Sequence, residues 1–156
     1  GMGGMKYRLP RGRLDFILPF CGLLLAVAVL IPLGLCLGFI GQFQVPVDFS
    51  LVKMAKVFSL TLAGVALPEE ILFRGLIQNW LMQKFGPSNK TLLVAALIFG
   101  VSHLNNGPQT LPNWRYMILA TLAGVIYGKV FQKSNSIFSS TVLHAAVNTV
   151  RHTFFA

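Results

Sequence analysis

Long apolar stretches constrain this fold more than any other feature of the sequence. Residues 16–40 form one apolar run without a charged side chain. A helix needs about 20 apolar residues to cross a bilayer, so this run can span one with some tilt. Charged residues make up only 11% of the chain, against about 25% in a typical soluble domain. The sequence therefore predicts a protein whose main solvent is lipid.

Helix stop signals divide the rest of the chain into four more apolar segments. Gly86-Pro87 ends the second segment, and the turn cluster at 105–108 ends the third. Pro68 is expected to interrupt the second segment. The four segments lie at 53–85, 91–104, 114–131 and 137–154. We therefore predict an all-α polytopic transmembrane helix bundle of about five spans, within a single membrane domain of residues 1–156.

The ends and the charges of the chain refine this prediction. The run at 16–40 is too long for a signal peptide, so we expect a retained N-terminal anchor. Gly1 before Met2 is typical of a tag-cleavage remnant. The net charge of +9 comes from basic residues between the apolar segments, a distribution that argues against nucleic-acid binding. Their asymmetry favours a cytoplasmic N-terminus.

Small residues offer two candidate faces for close helix packing. Gly34 and Gly38 are four residues apart, and so are Gly124 and Gly128. Glycine is also common in membrane helices without any such role. Both interpretations stay open for each pair.

Two adjacent glutamates, Glu69 and Glu70, lie inside the second apolar segment. A charged side chain in that environment costs free energy unless it is paired with an opposite charge or faces water. Such a residue usually indicates a functional site. Arg74 follows Glu70 by one turn, so these two residues can form an ion pair. A purely structural ion pair would explain Glu70 and Arg74. It would leave Glu69 without a cation, which makes Glu69 a candidate general base.

Two histidines also fall within apolar segments. His103 ends the third, and His144 lies in the fifth, with Asn148 one turn further on the same face. A lone histidine in a membrane helix more often forms an interhelical hydrogen bond. If the three helices pack together, however, their polar groups combine a base, two imidazoles and an amide donor. Hydrolysis requires such a combination.

Three motifs in this set resemble those of the CPBP intramembrane proteases, which include CAAX prenyl endopeptidases and bacteriocin-processing Abi proteins. Residues 69–74 fit the family's Glu-Glu-x-x-x-Arg, residues 99–103 fit Phe-x-x-x-His, and residues 144–148 fit His-x-x-x-Asn. The motif core runs from about 66 to 150, within catalytic helices at 53–154. The usual zincin helix and the Gly-x-Ser-x-Gly turn are absent from the sequence.

The resemblance implies an intramembrane endopeptidase that uses a glutamate-activated water. Its substrate would be a membrane-associated peptide or protein, of a CAAX-like or C-terminal sorting or leader type. The residues implied for catalysis are Glu69, His103, His144 and Asn148. The residues implied to support them are Glu70, Arg74 and Phe99. The resemblance favours a mechanism without a cofactor, and the alternative is a zinc ion held by Glu69, His103 and His144.

Other expectations follow from the family or compete with it. Short bacterial relatives suggest the bacterial inner membrane. Many relatives have about eight spans, so a homodimer could complete the substrate groove of this shorter chain. The main alternative function is a non-catalytic membrane immunity or docking protein with a structural polar cluster. A small transporter or proton-relay subunit is a third interpretation, which the few spans and the lack of a repeat weaken.

Overall fold

The computed structural model describes Gly4 and residues 6–156, so Gly1, interpreted above as a tag remnant, lies outside the described residues. Within that part of the chain all regular secondary structure is helical, which confirms the all-α prediction. The five helices are α1 (Leu14–Cys36), α2 (Leu51–Phe85), α3 (Asn89–Val101), α4 (Trp114–Ser134) and α5 (Ile137–Phe154).

Two of these helices, α1 and α2, are long and apolar enough to cross a membrane by length and composition. Helix α3 is apolar but has only 13 residues. Helices α4 and α5 do not combine sufficient length with sufficient hydropathy to be counted as membrane-crossing helices. The number of five spans and the cytoplasmic N-terminus therefore stay predictions.

Helix α1 ends earlier than the apolar run from which it was predicted. The predicted anchor reached residue 40, whereas the helix stops at Cys36. Gly38 adopts a positive φ of 62°, a conformation that commonly ends helices and that glycine adopts without strain. Gly34 then faces Ile40, which follows this turn. Gly34 and Gly38 are therefore not a helix-packing face.

Helix α2 passes through Pro68 without a break, so the predicted interruption is wrong. Residues Leu62–Ala66 form a π-helical turn, in which the Leu67 N–H bonds to the Leu62 carbonyl. This wider turn immediately before the proline accommodates a residue that cannot donate a backbone hydrogen bond. A second π-helical stretch follows at Ile71–Gln78. The two glutamates lie in the short α-helical piece between the π-helical stretches.

Side-chain caps and turns set the bounds of the remaining helices. Ser88 caps α3, and Asn113 caps α4 by accepting a hydrogen bond from the Tyr116 N–H at 3.0 Å. Helix α3 stops at Val101 rather than at the predicted residue 104, because the chain already turns at 102–105. His103 therefore lies just beyond the helix. Helix α5 has the bounds predicted for it.

Helix α4 packs against its neighbours through glycines. The Gly124 and Gly128 carbonyls accept hydrogen bonds from Arg74 and Gln78 of α2. A Cβ atom at Gly128 would lie 2.6 Å from the side chains of Gln78 and Leu92. The structure thus confirms the close-packing interpretation of the Gly124 and Gly128 pair. Helix α1 covers α4 and α5 on another side.

Gly100 holds α3 against α4 at close range. A Cβ atom at this position would lie 1.8 Å from Thr121 Oγ1 and 2.8 Å from the Met117 carbonyl oxygen. Because the second atom is backbone, Gly100→Ala must push the two helices apart, at a cost of about 1–3 kcal/mol. We expect a lower melting temperature in detergent. Gly64→Ala is the matched control, since nothing lies within 4 Å of its Cβ position. Equal melting of the two variants would contradict this packing.

Candidate active site

A buried ion pair forms the base of the site. Glu70 is 0% exposed and Arg74 is 1% exposed, and Glu70 Oε1 lies 3.1 Å from Arg74 Nη1. Arg74 also donates from Nη2 to the Gly124 carbonyl at 3.2 Å. Its guanidinium carbon lies 4.4 Å from the centre of the Phe99 ring. The predicted ion pair is therefore present, and it links α2 to α3 and α4.

Glu69 faces both histidines from the neighbouring position on α2. Its Oε2 atom lies 3.9 Å from His103 Nε2 and 3.7 Å from His144 Nε2. These separations are too long for direct hydrogen bonds. They are short enough for one water molecule to bridge the carboxylate and an imidazole. Oε2 is buried and has no hydrogen-bond partner among the described residues, so its capacity to accept a hydrogen bond is unused.

The other nitrogen of each imidazole ring is held by an acceptor. His103 Nδ1 lies 2.7 Å from the Phe99 carbonyl oxygen, and His144 Nδ1 lies 2.9 Å from Glu70 Oε1. A carbonyl and an ionised carboxylate only accept hydrogen bonds, so each Nδ1 must carry a proton. Both Nε2 atoms are thereby directed at Glu69. The hydrogen bond between His144 and Glu70 also connects α5 to the ion pair.

Aromatic rings fix the planes of the two imidazoles. The His103 ring contacts the rings of Phe99 and Tyr116, with centroids 4.6 and 4.7 Å away. Tyr127 stacks on His144 at 4.7 Å, with an angle of 21° between the rings. Phe99, expected in a supporting role, thus contacts a histidine and Arg74. Tyr116 and Tyr127 were not predicted, because an aromatic residue in an apolar helix carries no signal beyond packing.

A cavity of about 90 Å³ adjoins the histidines, large enough for several water molecules. His103, His144 and Asn148 line it together with apolar side chains of α1, including Ala26 and Leu30. The structure therefore brings Asn148 to the same cavity as both histidines, while Glu69 is near the histidines without lining the cavity.

Two further polar residues extend the site beyond the predicted set. Gln78 is 1% exposed and donates to the Gly128 carbonyl at 2.9 Å. It follows Arg74 by one turn, so the helical spacing could have predicted it. Arg151 lines the cavity one turn beyond Asn148, and the same spacing from His144 was the available signal.

The zinc alternative fits the site in chemistry, and its three ligands lie slightly further apart than they would around a bound zinc ion. Glu69, His103 and His144 are suitable zinc ligands, and both histidines carry the outer hydrogen bonds typical of such ligands. Tetrahedral ligands bound at about 2.0–2.2 Å lie about 3.3–3.6 Å from one another, whereas Glu69 lies 3.7 and 3.9 Å from the two nitrogens. Within Gly4 and residues 6–156, no group of three or more histidine, cysteine or acidic residues could hold a metal ion.

The fold and the site together define an all-helical protein with a buried cluster of acid–base groups and two helices long and apolar enough to cross a membrane. Residues 52–150 match the family described as type II CAAX prenyl endopeptidase Rce1-like. Because the match covers more than half of the chain, the protein belongs to this family of membrane-embedded proteases, and the resemblance to CPBP proteases is confirmed. No curated protein and no solved structure matches the chain.

Proposed function

We propose that this protein is an intramembrane endopeptidase in which Glu69 activates a water molecule for attack on a peptide bond. The observation that carries the proposal is the convergence of Glu69 Oε2 with the Nε2 atoms of His103 and His144. Family membership supports the protease class. The proposed substrate is a membrane-associated peptide or protein of a CAAX-like or C-terminal sorting or leader type.

In the proposed reaction, Glu69 takes a proton from the water as its oxygen attacks the carbonyl carbon of the substrate. His103 accepts the water's second hydrogen bond at Nε2, since its Nδ1 proton is held by the Phe99 carbonyl. The carbonyl oxygen becomes an oxyanion. Glu69 then passes its proton to the amide nitrogen, and the C–N bond breaks to give a new carboxylate and a new amine.

His144 and Asn148 are the proposed donors to the oxyanion. In the proposed mechanism His144 donates to the oxyanion from Nε2, which the Nδ1 hydrogen bond to Glu70 directs toward the reacting centre. Fixed donors in a site of low dielectric stabilise developing charge far better than water does.

A structural role alone explains only part of the cluster. Glu70 and Arg74 hold four helices together through direct contacts, as an immunity or docking protein would also require. Glu69 Oε2 makes no direct hydrogen bond within the described chain. A partly exposed carboxylate placed between two imidazoles contributes little to helix packing, and this favours catalysis over the structural alternative.

The test uses the purified chain in lipid vesicles and a pool of internally quenched apolar peptides. We expect the wild type to cleave members of the pool and Glu69→Gln to cleave none. Asp48→Asn is the matched control, because it makes the same chemical change at an exposed carboxylate on the connector before α2. Cleavage by all three proteins at one rate would contradict the proposal.

The same assay distinguishes the two versions of the mechanism. In the metal-free version, which we propose, 1,10-phenanthroline leaves the cleavage rate unchanged. Loss of cleavage with the chelator, and its return with added zinc, would instead move the chemistry to a zinc ion. Placement in the bacterial inner membrane and a homodimer are further proposals.

A further inference from the structure

Hydrogen bonds between the connecting segments define one end of the helix bundle. The N-terminal segment meets the α4–α5 turn there, because the Ile137 N–H donates to the Lys6 carbonyl at 3.2 Å. Lys129 of α4 donates to Asn89 at the start of α3 at 3.1 Å, which brings the α2–α3 turn to the same place. We call this the basic end, and it comprises residues 6–13, 84–90 and 129–137.

The opposite end of the bundle carries the connector between α1 and α2, the α3–α4 loop and the end of α5. The Gly41 N–H donates to the Phe155 carbonyl at 3.0 Å. Gln109 Nε2 donates to the Phe39 carbonyl at 3.3 Å. This connector end comprises residues 37–50, 102–113 and 151–156.

The catalytic cavity extends from the histidines toward the connector end. Phe39 and Ile40 of the connector line it there. On α5 the lining residues become more exposed in the same direction. His144 is 3% exposed, whereas Asn148 and Arg151, one and two turns further on, are partly exposed. A polar row thus leads from the catalytic groups to the connector end.

Packed side chains fill the space between the cavity and the basic end. Leu143 is 0% exposed and Phe131 is 1% exposed. A Cβ atom at Gly22 of α1 would lie 2.6 Å from Leu143 and 3.2 Å from Val130, so α1 packs directly against α4 and α5 at this level. Hydrolysis consumes water, and this packing indicates that the water enters from the connector end.

The distribution of charge relates the two ends to the two sides of a membrane. Eight of the 13 lysine and arginine residues belong to the basic end: Lys6, Arg8, Arg11, Arg13, Lys84, Lys90, Lys129 and Lys133. Four lie at or next to the connector end: Lys53, Lys56, Arg115 and Arg151. Asp48 pairs with one of these four, Lys53. Because lysine and arginine are enriched in cytoplasmic segments, this distribution favours a cytoplasmic basic end.

We propose that the catalytic cavity opens on the extracytoplasmic side of the membrane and that the substrate is a segment of a protein exported to that side. This inference rests on the proposed function and narrows its substrate class. A sorting or leader-type segment of an exported protein reaches the connector end. A CAAX-like C-terminus that stays in the cytoplasm does not reach it.

Cysteine labelling tests where the cavity opens and needs no cleavage, so its failure and the failure of the proposed function are distinguished. Single cysteines are placed in a full chain from which the two native ones, Cys21 and Cys36 on α1, have been removed by substitution with serine. Thr110→Cys reports the connector end and Val150→Cys the cavity wall. Gly12→Cys reports the basic end, where nothing lies within 4 Å of its Cβ position.

Intact bacterial cells that express each variant are treated with sulfonatoethyl methanethiosulfonate, an anionic reagent that does not cross membranes. Mass spectrometry of the purified chain then measures the labelled fraction. We expect Thr110→Cys and Val150→Cys to be labelled in intact cells. Gly12→Cys should be labelled only after the cells are opened. Ala120→Cys is a second cavity-wall variant and replaces Val150→Cys if that variant does not fold.

A chain that keeps only Cys21 is the matched control, because this thiol is exposed on the apolar helix α1. It should stay unlabelled in intact and in opened cells, since a charged reagent reacts from water rather than from lipid. The proposal is overturned if Gly12→Cys or Cys21 is labelled in intact cells, or if Thr110→Cys is protected in them. Protection of the cavity-wall cysteine in intact cells, with Thr110→Cys labelled, also overturns it.

Discussion

Glu69→Gln is expected to abolish peptide-bond cleavage while the protein stays folded. The amide cannot accept a proton from water, and loss of a general base typically lowers a rate by about a hundredfold to ten-thousandfold. The fold should tolerate the change, because the Glu69 side chain is 31% exposed and its nearest imidazole nitrogen is 3.7 Å away. The measurements are the cleavage rate on a peptide from the quenched pool and the melting temperature of each protein.

Two outcomes would contradict this expectation in different ways. A variant that cleaves at the wild-type rate would remove Glu69 from the mechanism. A variant that melts well below the wild type would make Glu69 a structural residue. Its loss of activity would then reflect lost folding rather than a lost general base. Glu69→Asp provides a graded control, since it keeps the carboxylate but withdraws it from both imidazoles.

Arg74→Leu is expected to unfold the protein or leave it barely stable. The substitution leaves the Glu70 carboxylate buried at 0% exposure without its cation. Removing one partner of a buried pair typically costs about 3–5 kcal/mol. The same change also removes the hydrogen bond to Gly124 and the contact with Phe99. Thermal unfolding in detergent measures the effect.

Lys84→Leu is the matched control, because Lys84 is an exposed cation on the same helix and lies over the exposed rings of Trp80 and Phe85. It should change the free energy of unfolding by about 0.5 kcal/mol or less. The double variant Glu70→Gln, Arg74→Leu should recover part of the lost stability, because it no longer buries an unpaired charge. Equal stability of Arg74→Leu and Lys84→Leu would contradict the account of the ion pair.

Local signals in the sequence predicted the helical fold and the residues that meet in the site. Apolar length, prolines and turn clusters act within a few residues, so α5 and the start of α4 were predicted at their observed bounds. The i+4 spacing of Glu70 and Arg74 is also local, and their ion pair is present. Polar residues are few inside the apolar segments of this chain. Those that converge in the site could therefore be identified as candidates from the sequence.

Contacts between distant segments could not be predicted in the same way. The hydrogen bond from His144 to Glu70 depends on how α5 packs against α2, and nothing in either segment alone specifies it. Tyr127 stacks on His144 for the same reason. The π-helical turn before Pro68 lets the helix continue through a residue that cannot donate a backbone hydrogen bond. From the sequence alone, the proline indicated an interruption of the helix. Arg151 was not predicted as a site residue, because only the packed helices place it on the cavity.

The most direct test of the central claim compares new protein termini in membranes from cells that express the wild type or Glu69→Gln at equal levels. We predict a defined set of cleaved membrane proteins that is present with the wild type and absent with the variant. The sequences at those termini would also identify the substrate. Identical termini in the two membranes, with both proteins folded, would contradict the assignment of this site as a protease.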